Sequence, residues 1–147
     1  MNLSREEFTY LKSIEKHFVT NEVIFLGPPP LKWEREIISI DKKENFFLNF
    51  YRGSIKLTKF SYNNNYRKVI ILGRFCSEGR HTNPPDSDGK SFEGAHVHIF
   101  DERFGDKIAY PVTSMEIVET DQIENVLEKF LKFFNVPTMP SIQTSII

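Results

Sequence analysis

The sequence predicts an α+β fold: an antiparallel sheet or partly open barrel of five or six strands, with an N-terminal and a C-terminal helix. Three observations lead there. Apolar residues recur at helical spacing only near the two ends of the chain. Between them lie segments rich in β-branched and aromatic residues, broken by Gly and Asn at hairpin spacing. No repeat or linker interrupts the 147 residues, so residues 1–147 read as a single domain.

The first helix has a marked start. Ser4 is an N-cap with Glu7 three residues on, and Leu3 can staple onto Phe8. Phe8, Leu11, Ile14 and Phe18 continue the apolar stripe, and His17 falls in the same helix as a surface or boundary residue. Gly27-Pro28-Pro29-Pro30 forbids helix and forms an extended connector. Strands are expected over 36–40, 46–51, 55–62 and 69–75, with turns at Arg52-Gly53 and Asn63-Asn64-Asn65. Residues 77–94, SEGRHTNPPDSDGKSFEG, lack periodicity and read as one long loop, a length usually functional or disordered. Strands follow at 95–100 and 107–112, separated by a turn over 102–106. Asp121 and Glu124 cap a last helix whose apolar face is Ile123, Val126, Leu127, Phe130, Leu131 and Phe134, and Pro137 ends it.

Composition narrows the function classes. Hydrophobic residues make up 39% and charged residues 27%, with 14 phenylalanines for an aromatic core. The lone Cys76 has no internal disulfide partner, and it ends an apolar strand as a small buried hydrophobe; a reducing, cytoplasmic location is expected. The first twenty residues are charged and periodic, unlike a signal peptide, and no apolar run is long enough for a membrane span. A net charge of −1 argues against bulk coating of nucleic acid. Between Tyr51 and Tyr110, however, ten Lys or Arg residues face seven Asp or Glu, a modest basic field suited to a phosphate-bearing ligand.

That field surrounds the main chemical signal. Three of the four histidines, His81, His96 and His98, fall within eighteen residues. Strand alternation sends His96 and His98 to one face and Ala95, Val97 and Ile99 to the other, towards the core. His81 lies in the loop that leads into this strand. Two imidazoles on one face suit general acid and base, because their ordinary pKa leaves both forms available near neutrality. Cleavage of a phosphodiester also needs a cation for the developing charge; Lys107 is the first choice, with Arg80 and Arg103 nearby. Asn83 can hold a base edge or phosphate, and the Tyr110 hydroxyl, on the neighbouring strand, can either join the site or cap the core. This reading needs no metal or cofactor. A second reading takes His81, His96, His98 and Glu102 as metal ligands, since H-x-H-x3-E over 96–102 resembles the first cupin motif. The resemblance stops there, because the later cupin motif is missing. The two-histidine phosphoesterase pattern also fails, because HVH stands where its second H-x-[S/T] is required.

Taken together, HTNPPDSDG, AHVHIF and FGDKIAYP resemble the signature of an uncharacterised family of small bacterial and prophage proteins, reading H-x-N-P-D-G, then H-x-H-x-[FY], then G-D-K. The likeness extends to Leu3, Ser4, Glu6 and Glu7 in the first helix, to Arg52-Gly53, and to a last helix followed by proline. Pro84-Pro85 stands where the family has one proline, Ala95 replaces a proline and Ile108 a tryptophan. His81, Asn83, His96, His98, Glu102, Asp106 and Lys107 fall on motif positions, which adds Asp106 to the binding set. The resemblance implies mobile-element or defence-island context, where toxins, nucleases and inhibitors are common. The expected function is therefore a toxin-type endoribonuclease or nucleotide phosphodiesterase, with a nucleotide or RNA ligand and an antitoxin or defence effector as protein partner. The alternative is a phage or prophage inhibitor that sequesters a nucleotide signal or blocks a CRISPR-type effector.

Overall fold

The computed structural model describes residues 2–54 and 56–145. The chain is mixed α+β, and among the described residues it has helices α1 (Arg5–Ser13) and α2 (Ile123–Phe133) and eleven strands. These are β1 (Lys16–Phe18), β2 (Ile24–Phe25), β3 (Leu31–Ser39), β4 (Asn45–Arg52), β5 (Ser61–Tyr66), β6 (Ile70–Cys76), β7 (Arg80–Thr82), β8 (Ser91–Glu93), β9 (His96–Ile99), β10 (Ala109–Tyr110) and β11 (Ile142–Gln143). Seven of them form one open antiparallel sheet in the order β1-β3-β4-β5-β6-β9-β10, wider than the five or six strands expected. Two small sheets flank it: β7 with β8, antiparallel, and β2 with β11, parallel.

The Ser4–Glu7 capping box forms as the sequence indicates, with both reciprocal bonds present. The helix ends earlier than its stripe implied. Buried Lys16 donates to the carbonyls of Lys12, Ile14 and Phe134, at 3.0, 2.9 and 2.6 Å, and satisfies helix-end acceptors that further helix would otherwise use. His17 and Phe18 therefore lie on β1, not on the helix. At the other helix, Asn125 accepts from the Gln122 backbone, while Asp121 is engaged with Val118 and Lys129.

The strand boundaries shift for a reason of local backbone. Asn63, Asn64 and Asn65 are the middle of β5, not a turn. The turn falls at Arg67 and Lys68, which both take positive φ, at 54° and 62°. Of the strand expected over 55–62, Ile55 lies outside the described residues and only Ser61 and Tyr62 are in β5. Between β5 and β6 the register slips at Asn64/Asn65, a β-bulge with Leu72 as the extra residue. Ile70 and Leu72 face the core, and beyond the bulge so does Phe75. Arg74 and Cys76 consequently turn outwards.

The core lies on one face of the sheet. Ile37, Phe46, Leu48, Phe50, Tyr62, Leu72, Phe75 and Val97 pack against Val126, Leu127, Phe130 and Phe134 of α2 and its end. Ring pairs Phe50–Tyr62 and Tyr62–Phe130, at 5.2 and 6.1 Å, tie sheet to helix. Gly73 is required here: a Cβ would meet the Phe134 ring at 2.3 Å. The opposite face of the sheet is mixed, with Phe47 and Tyr51 among Asn49, Ser61, Asn63 and Asn65, and the β7–β8 hairpin covers its β9 end.

Candidate functional site

The site is built on two neighbouring strands. In the β6–β9 ladder Cys76 pairs with His96 and Arg74 with His98, so four chemically active side chains share the outer face. Val97, opposite Phe75, anchors the strand from the core side and is fully buried. The β7–β8 hairpin folds over them. His81 and Phe92 are direct cross-strand partners within it, and Phe92 approaches His96 with ring centroids 6.4 Å apart. His96 and His98 are thereby buried, at 4% and 2% exposure, rather than half-exposed.

The three imidazoles meet. Ring centroids are 4.7 Å apart for His81–His98, 5.1 Å for His96–His98 and 6.0 Å for His81–His96. Each ring is fixed by one backbone carbonyl: His96 Nδ1 to Gly94 at 2.8 Å, His98 Nδ1 to Asp106 at 2.9 Å, and His81 Nε2 to Lys107 at 2.8 Å. A carbonyl only accepts, so those nitrogens carry the protons. The free lone pairs are Nε2 of His96 and His98 and Nδ1 of His81. Burial pulls the pKa of His98 down to about 4, helped by Arg74 and the other two rings, with the Asp106 carbonyl opposing. Burial likewise lowers His96. Both rings are neutral at pH 7, which suits proton acceptance or metal ligation better than proton donation.

Cys76 completes the cluster. Ligand-capable atoms of Cys76, His96 and His98 all lie within 4.8 Å of one another. Burial raises the thiol pKa, and the adjacent Arg74 guanidinium opposes the rise. A shallow pocket of about 240 Å³, lined in part by Lys59, Ser61, Arg74 and Cys76, opens beside the cluster on the same face. A larger cleft of about 470 Å³ lies between α1 and Tyr66, away from these groups.

The other expected site residues divide. Asp106 belongs to the site twice over, through its carbonyl and through a 3.8 Å ion pair with Arg74. Lys107 is exposed and enters through its carbonyl, not its ammonium. Asn83 is buried and structural: its amide accepts from the Ala109 nitrogen at 2.7 Å and donates to the Ala109 oxygen at 3.1 Å and to Asp88. Both N–H donors of that amide are used and the side chain is buried, so it serves the fold. Arg80 is exposed and paired with Glu93 across the hairpin, and Arg103 is paired with Asp86 at 2.9 Å. Tyr110 pairs with Val97 and so faces the core, where it packs, away from the imidazoles. Glu102 sits in an exposed turn and is outside the Cys76–His96–His98 group.

Sequence reasoning missed Cys76 and Arg74. Counted from Ile70 and Leu72, alternation sends both into the core; the bulge that reverses this leaves no mark in the residue pattern. Asn63, opposite Arg74, was hidden by its turn-like composition.

Fold and site together define the class: an α+β protein carrying a cysteine–histidine cluster on the outer face of an open antiparallel sheet. Among the described residues no helix is long and apolar enough to cross a membrane. The chain belongs to a family of unknown function (DUF6978), whose model matches residues 3–136. No curated protein and no solved structure matches it.

Proposed function

We propose that the outer face around Arg74, His81, His96 and His98 binds a phosphate-containing ligand of the nucleotide class and acts on it, as a nucleotide phosphodiesterase or toxin-type endoribonuclease. Arg74 carries this reading. Its guanidinium stands opposite His98, and its buried Nε has no hydrogen-bond partner among the described residues. Its ion pair with Asp106 is long, at 3.8 Å. A guanidinium with donors to spare beside a pocket is the group best suited to phosphate oxygens. Asn63 Oδ1, on the residue opposite, is also buried and has no partner among the described residues, and is suited to a ligand donor such as a ribose hydroxyl or base amine.

The roles follow from geometry. Arg74 takes the charge-stabilising task that the sequence assigned to Lys107. His96 and His98 present neutral lone pairs, and His81 is the most exposed ring of the three. The deep burial of His96 and His98 favours a second reading, in which the ligand is held intact. In that case the protein is a phage or prophage inhibitor that sequesters a nucleotide signal or blocks a defence effector. The mobile-element setting of both readings comes from the sequence resemblance.

Untagged protein incubated with cyclic nucleotides, linear dinucleotides and short RNAs tests this. The wild type is expected to retain one of these classes, and Arg74→Gln to lose at least about tenfold in affinity, the worth of one charge-assisted contact. Altered nucleotide released on heating identifies an enzyme; unaltered nucleotide identifies a sequestering protein. A wild type that neither retains nor alters any of the panel, or an Arg74→Gln protein that binds and acts equally well, overturns the reading.

A further inference from the structure

We infer that Cys76, His96 and His98 form a binding site for a transition-metal ion of the zinc class, with a fourth position left for an oxygen of a bound ligand. This deepens the reading above, because it rests on the same cluster, with Nε2 of His96 and His98 given to the metal and the Nδ1 lone pair of His81 left for the ligand; it is tested without any nucleotide.

The donor set is one that chemistry reserves for such ions. A thiolate with two imidazoles selects zinc and its borderline neighbours over magnesium or calcium, which take oxygen ligands. The three ligand-capable atoms already lie within 4.8 Å of one another. Bonds of about 2.0–2.3 Å in tetrahedral geometry hold ligand atoms roughly 3.3–3.6 Å apart. Closing the set needs movements of about 1 Å, within the rotamer freedom of three side chains.

The imidazoles are also oriented as ligands. His96 and His98 each donate Nδ1–H to a carbonyl, of Gly94 and of Asp106, which leaves Nε2 as the free donor atom. Fixing the far nitrogen of a ligating histidine in this way sets its tautomer and aim. The scaffold is rigid where it must be: Cys76 and His96 are ladder partners, with Phe75 and Val97 locked in the core behind them. His81 lies outside the 4.8 Å group and holds Lys107, so three protein ligands and one open place remain, the pattern of reactive rather than purely structural zinc.

Binding converts the Cys76 thiol to thiolate, so each metal ion taken up displaces one proton into solution. Dication plus thiolate leaves a net positive centre next to Arg74, which reinforces attraction for an anion.

The test uses untagged full-length protein stripped with a chelator and shown to be folded by circular dichroism. Titration with zinc is expected to give one ion per chain, with one proton released as read from the buffer dependence of the heat. Cobalt(II) is expected to give tetrahedral visible bands and a near-ultraviolet thiolate-to-cobalt charge-transfer band. Cys76→Ser should abolish that charge-transfer band and weaken zinc at least 100-fold, whereas His17→Ala should change neither. Folded wild type that takes up no stoichiometric zinc or cobalt, or a cobalt complex without the thiolate band, overturns the inference. Metal uptake without retention or alteration of any nucleotide leaves this inference standing and removes the phosphate reading; nucleotide retained or altered by protein that takes up no metal does the reverse.

Discussion

Cys76 stands directly across from His96 in the β6–β9 ladder, on the side of the sheet away from the core. The pairing depends on a ladder held in register by buried neighbours, and on a turn and a hairpin that aim the rings. Each support can be removed singly.

Gly105 is one such support. It takes φ +64° in the turn just before Asp106 and Lys107, the two residues whose adjacent carbonyls hold His98 and His81. Gly105→Ala strains that turn by about 1 kcal/mol. The expected result is a small loss of stability by urea titration with an outsized loss of zinc affinity, roughly tenfold, as for other supports behind metal ligands. Equal zinc affinity in the two proteins would show that the turn does not aim the rings.

Asn83 is the second. It stands in for a strand partner of Ala109, giving and taking a backbone bond from a buried position. Asn83→Ala leaves a buried N–H and C=O unpaired and is expected to cost about 2–3 kcal/mol. Amide exchange should speed up selectively in β7, β8 and β10. If protection there matched the wild type, Asn83 would have no pinning role.

Gly73 tests the packing behind the site. The Phe134 ring occupies the space a Cβ would need. Gly73→Val should destabilise by about 2 kcal/mol through overpacking, a fall of roughly 4–8 °C in Tm. A Tm within a degree of wild type would contradict the close approach.

Lys16 joins the ends of the two helices. Its ammonium serves three carbonyls, two from the end of α1 and one from the end of α2, and lies 4.9 Å from the Phe46 ring centroid. Lys16→Met keeps the apolar stem but strips all three acceptors of their donor, for an expected loss of about 3 kcal/mol in urea unfolding. A loss under about 0.5 kcal/mol would mean that water replaces the ammonium.

Much of this was legible in the sequence. The capping box at Ser4, the apolar face of α2 and the outward direction of His96 and His98 follow from local rules that tertiary structure did not override. The convergence of His81 on the other two rings was legible only as a cluster, because the loop carrying it is in fact a hairpin with Phe92 opposite His81. Residues whose role is set by register were illegible. Asn63–Asn65 have turn composition, yet a neighbour on each side makes them strand. Proximity along the chain places Lys107 at the site, whereas the turn uses only its backbone; for Tyr110 the sequence leaves site and core open, and ladder parity turns it inwards.

The extra residue at Leu72 has a wider meaning. With one residue fewer, the ladder would drive a guanidinium and a thiol into the aromatic interior and push Phe75 into water. The same insertion that keeps the interior dry also manufactures the reactive surface. A chain of this design cannot lose its chemistry by a one-residue deletion in β6 and keep its shape; the two are inherited together.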